Sequence, residues 1–407
     1  MPSTVIIGAG IIGVSTAYYL SDHQPPSTIH LVESSPELFS SASGYAGGFL
    51  AKDWFKPQVL SLGALSFELH KQLAAIHGGR EKWHYSPTTS INYSPAPRKV
   101  GQERGADWLR HGSSRAEAAP DERGDVDAPV WLRRHEGDHT ERVSAEGTTA
   151  QLDPLMLCRW LLEECRKRGV RVHHPATVTS VSTDLRGELS SVRIVEAETG
   201  VETDLPCTRV VIAAGAWSGR VFKRLFRLSG RKLEVGSLAG HSVVVRTSKW
   251  KGKEGEGCHA VFSMAGEGFA AEMFSRVGGE VWLGGLNGGE AELPVGSTGR
   301  TKVVEEAAIK VREAARSLLG EEVEIVREGL CFRPVTIEGL PVVGRMGDDD
   351  LGPGVATRPG ADGGVYVATG HGPWGISLCL GTGVVVAEMA QGRPLSADVS
   401  ELGLKMK

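Results

Sequence analysis

The first 33 residues constrain this chain more than any other stretch. Val5-Ile6-Ile7 is a short β-branched run of the kind that fills a buried parallel strand. Gly8-Ala9-Gly10-Ile11-Ile12-Gly13 follows at once and fits G-x-G-x-x-G. Val14 to Leu20 continues at helical spacing, and Ile29 to Val32 gives a second strand that runs into Glu33. The glycines have separate tasks. Gly8 permits the tight turn, Gly10 lets a pyrophosphate approach the backbone, and Gly13 lets helix pack on strand. The helix N-terminus presents free N–H groups and a positive dipole end to phosphate. Glu33 stands 20 residues beyond Gly13, where an acid accepts hydrogen bonds from a ribose diol. That acid disfavours a 2′-phosphate, so the expected ligand is FAD or NAD rather than NADP. The turn alone does not choose between the two.

At 407 residues the chain is long enough for two domains or one large α/β unit. A net charge of −4 supplies no basic footprint for nucleic acid. The fold starts near residue 3, which is read as leaving no room for a signal or transit peptide. No apolar run is expected to reach membrane-spanning length. Six scattered cysteines without a C-x-x-C pair suit a reducing compartment, so a cytoplasmic location is expected. No metal site is expected.

Residues 34–56 form a small-residue loop too long and glycine-rich to be an idle connection. Leu60 to Ile76 reads as an amphipathic helix. Residues 96–148 are charged and poor in aliphatics, with only Ala128 to Leu132 suggesting order. They read as a surface excursion, most mobile over 100–145. Leu155 to Arg168 is a helix ended by Gly169. Arg209 to Ile212 is a buried strand entering a glycine turn, and Leu233 to Thr247 and Val261 to Leu286 alternate like antiparallel strands. Thr301 to Leu319 reads as a helix, 323–333 and Gly364 to Gly370 as strands, and Leu378 to Gln391 as a final helix entered through Gly381-Thr382-Gly383.

The order is βαβ first, antiparallel strands in the middle, and βα last. The expected class is α/β (α+β overall): a Rossmann-like nucleotide domain of residues 1–60, 150–230 and 331–407, interrupted by a mixed antiparallel-sheet substrate domain of residues 61–149 and 231–330.

Further motifs carry a family resemblance. Ala42-Ser43-Gly44-Tyr45-Ala46-Gly47-Gly48 resembles a loop that runs under a flavin, and Ala213 to Ser218 resembles an "AAGAWS" turn. Phe332 to Gly344 resembles "LRPxTPDGLPxIG", and Ala368 to Ile376 resembles "TGHGxxGx". With the N-terminal turn these resemble, in order, the FAD-dependent D-amino-acid oxidase, sarcosine oxidase and glycine oxidase superfamily, and most closely its uncharacterised fungal and plant oxidoreductases. Leu380 departs from it, where proline usually precedes the final helix.

The resemblance implies FAD rather than NAD. It implies cofactor contacts from Gly8, Gly10, Ile11, Ile12, Gly13, Glu33, Ser34, Ser43, Gly44, Gly47, Gly48, Val178, Ala214, Gly215, Trp217, Cys331, Arg333, Gly370, His371, Gly372, Gly375 and Ile376. A cysteine at the Cys331 position bonds covalently to the flavin in some branches, whereas the Arg-Pro that follows resembles the noncovalent ones. Noncovalent FAD is the expectation, with a link through Cys331 as the alternative.

For chemistry, His371 sits in the flavin loop and offers either a ring or only its backbone. Trp374 is placed to wall a substrate cavity. Arg276 and Arg333 are candidate forks for a substrate carboxylate. His241 is a candidate to look into the cavity, and Lys52 to aid oxygen reactivity. The implied activity is oxidation of a CH–NH bond of an amino acid or secondary amine, with oxygen or another acceptor taking the electrons. The rivals are a 2-hydroxy-acid dehydrogenase on the same fold and a flavin-binding scaffold that serves membrane traffic through a protein partner.

Overall fold

The computed structural model describes residues 2–94, 114–120, 124–253, 255–263, 268–288, 291–296 and 303–404. Thr4–Ile7 forms the centre of a six-stranded sheet, between Arg209–Ile212 and Ile29–Val32, all parallel. Gly364–Thr369 and Arg171–His173 extend it in parallel on either side, and Val342–Arg345 closes one edge antiparallel.

The unbroken apolar runs of these strands follow from burial on both faces. Ile6, Leu31, Val211 and Ala368 face the helices Ile11–Leu20, Pro154–Arg168 and Gly375–Ala390. Val5, Ile7, Val210 and Val367 face the other way, toward the helix Ser218–Leu225 and an antiparallel sheet of Ala176–Thr183, Leu189–Glu196 and Glu202–Pro206.

A second, ten-stranded sheet is mostly antiparallel. It is built around Gly236–Arg246, paired on one side with Glu324–Val335 and on the other with Glu280–Asn287. One face is covered by the helix Glu305–Leu319 through Val311, Ala314 and Ala315. The opposite face carries Phe262, Phe274 and Trp282, which pack with Phe49 and Trp54 toward the first sheet.

Several boundaries differ from expectation. The last helix begins at Gly375, directly after the His371 loop, and Gly381 and Gly383 lie inside it. Their role is close packing: a Cβ on Gly383 would come 2.7 Å from the backbone of Ser15 in the first helix. The stretch Gly372–Ala390 is long and apolar enough to cross a membrane by length and composition, contrary to expectation, but 72% of it is buried in the core. The helix Pro57–His77, assigned from sequence to the substrate half, buries Val59, Leu62 and Phe67 in the same core as the first and last helices.

The charged excursion is also more ordered than its composition implies. Gly124–Asp125 and His139–Arg142 join the large sheet, and Trp131 and Val143 are wholly buried. Few apolar residues do this work, at no regular spacing, so no periodicity marks them. Residues 95–113 and 121–123, where much of the expected mobility falls, lie outside the described residues.

Candidate active site

The glycine turn is fixed by contacts that no side chain allows. Gly8 has φ +104°, and a Cβ there would sit 2.5 Å from the Ala213 carbonyl oxygen. A Cβ on Gly13 would sit 1.9 Å from the Gly8 carbonyl oxygen. Gly10 is different: its Cβ would meet only the Ser43 hydroxyl, at 3.2 Å, and otherwise open space. Glu33 is locked at the turn. One carboxylate oxygen accepts the Ala9 N–H and the other the Ser35 N–H, both at 2.8 Å. Each oxygen keeps a further lone pair for a ribose hydroxyl. The Ser43 hydroxyl accepts the Ile11 N–H at 2.9 Å and so ties the second glycine loop to the helix start.

A single cleft joins these parts. It runs from Gly8, Gly10, Ile11 and Ile12 past Glu33, Ser34, Ser43 and Val178 to Ala214, Gly215 and Trp217. It continues to Gly47, Gly48, Cys331 and Arg333 and ends on His371, Gly372, Gly375 and Ile376. A cleft with a ribose acceptor at one end, a backbone-lined turn and the start of a buried helix at the other has the donor set an FAD requires. Gly13 and Gly44 do not line it. They serve packing, since a Cβ on Gly44 would sit 2.2 Å from the Phe39 carbonyl oxygen. Gly370, with φ +76°, borders a second, larger cavity on the other side of the His371 loop.

The far end of the cleft holds the reactive candidates. Arg333 lines it, and its guanidinium donates to the neutral Asn287 side chain at 2.5 Å. His371 is buried, with Nε2 3.0 Å from the Thr382 hydroxyl, and burial pushes it down to about 3. Its ring is therefore neutral, and Nδ1 has no partner among the described residues. Cys331 is buried, and burial raises its thiol above the ordinary value. Trp374 borders the larger cavity, with its ring 5.0 Å from Phe55.

A family model described as FAD dependent oxidoreductase, DAO, matches residues 3–389. The chain belongs to this family. It is 28% identical over 427 residues to the Schizosaccharomyces pombe protein named "Putative oxidoreductase C1F5.03c", covering 98% of this chain and 96% of that one. It is 23% identical to a glycine oxidase of Bacillus licheniformis, covering 97% and 94%. Among solved structures it superposes on glycine oxidase from Geobacillus kaustophilus with a TM-score of 0.71 at 20% identity, covering 100% and 99%. The DAO fold is thus shown, and FAD is the family's cofactor.

Two expected site residues are corrected by this DAO structure. Arg276 is 1% exposed and lines neither cavity. It donates to Asp153 at 2.9 Å and to the carbonyls of Ala46 and Gly47 at 3.2 and 3.0 Å. It braces the loop at Ala46 and Gly47, and these donors are committed to protein partners. Asp153 also caps the helix Pro154–Arg168 by accepting the Met156 N–H, so one carboxylate serves both elements. His241 is buried on Gly236–Arg246 in register with Leu330 and Leu286, and it lines neither cavity. On that strand it is the neighbouring Gly240 that makes room for the Arg333 guanidinium, since a Cβ there would sit 2.2 Å from it. Lys52 pairs with Glu68 at 3.0 Å, both partly exposed.

Arg115 was missed. It comes from the charged excursion, is 6% exposed, and lines the same cleft as Arg333 and His371. It binds Glu272 through two N–H···O bonds of 2.8 and 2.9 Å, and its Cζ lies 4.9 Å from the Trp374 ring. One arginine among many in a polar stretch gives no local signal of this kind.

Proposed function

We propose that this DAO-family flavoprotein oxidises the CH–NH bond of an amino acid or secondary amine that carries a carboxylate. The observation that carries the reading is Arg333. It is a guanidinium at the flavin end of the cleft whose side-chain partner is a neutral amide, with no carboxylate paired to it among the described residues. A fork in that state binds a substrate carboxylate in two parallel hydrogen bonds, and the bound acid supplies the countercharge.

FAD, when bound, supplies a two-electron acceptor that takes hydride from the substrate carbon. The chain's own groups orient the substrate and keep water out. Phe49, Phe274 and Trp282 supply apolar wall to the cleft that Arg333 also lines. His371 is neutral and bonded to Thr382, so it holds the loop rather than a proton, and the amine enters already deprotonated. Noncovalent FAD fits the buried, un-ionised Cys331 thiol, which lacks the thiolate character of a nucleophile.

The test is anaerobic mixing of the yellow protein with amino acids, N-alkyl amino acids and 2-hydroxy acids while following flavin bleaching. Bleaching by amines, with KM raised tenfold or more in Arg333→Lys, supports the reading. Bleaching by hydroxy acids alone, or by nothing, overturns it.

A further inference from the structure

The larger cavity lies beyond the His371–Trp374 loop, is open to solvent on one side and has a volume of about 1410 Å³. That exceeds the roughly 300–1,000 Å³ of ordinary small-molecule sites and far exceeds what a simple amino acid needs. It shares His371, Gly372 and Pro373 with the flavin cleft, so the two spaces meet at that loop.

Its chemistry is uneven. Near the loop the wall is apolar and aromatic, from Trp54, Phe55 and Trp374. The last turn of the helix Ser218–Leu225 and the segment that follows it bring a different edge: Lys223, Arg227 and Lys232 line the cavity, are exposed, and form no ion pair with any described residue. Two further cations there are engaged, Arg231 with Asp350 at 2.7 Å and Lys56 with the Glu338 carbonyl at 3.0 Å. The acids on the lining are Glu117 and Glu234. Of the lining cations, Lys223, Arg227 and Lys232 are left without an ion-pair partner among the described residues and make this edge positive, in a chain whose net charge is −4. An apolar passage ending in unpaired cations selects a ligand that is apolar in the middle and anionic at its far end.

We propose that the cavity is a distal subsite for the substrate's N-substituent, and that the substrate class is an N-substituted amino acid whose apolar chain ends in an anion received by Lys223, Arg227 and Lys232. The proposal rests on the amine reading above and extends it. The carboxylate at the flavin end goes to Arg333, the chain passes Trp374, and the second anion meets the cationic edge.

The test uses the FAD-loaded protein and two probes, N-(5-carboxypentyl)glycine and its neutral counterpart N-hexylglycine. Binding is measured calorimetrically on dithionite-reduced protein, which takes no hydride, at low salt. The expected result is at least about fivefold tighter binding of the anionic probe. That preference falls to within about twofold in Lys223→Glu/Lys232→Glu and in high salt. Both residues are exposed, so the variant folds, and N-hexylglycine binding serves as its control. Equal affinities in the wild type, or a preference that survives in the variant, overturn the subsite. Anaerobic bleaching of the oxidised protein separates the two ideas. Tight binding of the anionic probe without bleaching by any amine upholds the subsite and sinks the amine reading, whereas bleaching with equal affinities does the reverse.

Discussion

Arg115 and Glu272 meet through two parallel hydrogen bonds of 2.8 and 2.9 Å, and both residues are buried beside the flavin cleft. Burial lowers the arginine's pKa and the carboxylate opposes that shift, so the charges are held by each other. The guanidinium is also 3.5 Å from the Pro373 carbonyl, which extends the pair to the loop at the cleft's end.

Arg115→Met should therefore be costly, because it strands a buried carboxylate. A loss of about 3–5 kcal/mol is expected. Arg115→Met/Glu272→Leu should recover most of it, since apolar replacement of a buried pair is often near neutral. Chemical denaturation of the two variants checks this. A single variant as stable as wild type would contradict it.

Gly13→Ala and Gly10→Val should fail in different ways. The Gly13 Cβ would run into the backbone oxygen of Gly8, which cannot withdraw, so the fold itself suffers in both apoprotein and holoprotein. Gly10 faces open cleft, so Gly10→Val should leave the apoprotein melting temperature within a few degrees and abolish the yellow colour. Flavin absorbance and apoprotein melting curves separate the outcomes.

The flavin should leave on acid precipitation, and Cys331→Ser should bind it as wild type does. The buried thiol stays protonated at neutral pH, so it lacks the thiolate needed for attack. Flavin fluorescence that stays with the denatured chain in a gel and disappears in Cys331→Ser would count against this.

Stability should fall with acid in a window set by buried histidines. Burial pushes His70 down to about 4 and His371 to about 3, from an ordinary 6.5. The unfolded chain thus binds protons first. Their contribution is whole above pH 6.5 and drains as pH falls toward the folded values, by up to about 1.4 kcal/mol per pH unit for each histidine. Melting temperature between pH 7 and 5 reads the slope, and His371→Asn should flatten it. An unchanged slope in that variant would remove His371 from the account.

The nucleotide half was largely legible because its signals are local. The turn, its acid and the strand ahead of it lie within 33 residues, and the Gly13 contact with the Gly8 carbonyl belongs to the same turn. The far end of the site was less so. Arg276 looked like a clamp because it sits at the turn of a strand pair near the flavin, but its partner Asp153 is 123 positions away. Arg115 and Glu272 lie 157 apart, and their pairing depends on how the large sheet folds over the first one. Charge partners at that separation leave no trace in spacing or periodicity. The last helix was misplaced for a related reason: Gly381 and Gly383 look like an entry turn, whereas the helix needs them small to lie against its neighbours.

That helix joint has a mechanical consequence. The first helix begins at the pyrophosphate turn and the last begins at the flavin loop, and Gly383 seats one against Ser15 of the other. The seat works as a gauge block between the glycine turn and the His371 loop, two parts of the one cleft. An insertion of one residue between Gly375 and Gly383 would turn the loop by about 100° and shift it by about 1.5 Å relative to the turn. The same insertion beyond Ala390 would leave both ends in register, so tolerance to added length should change abruptly at the seat.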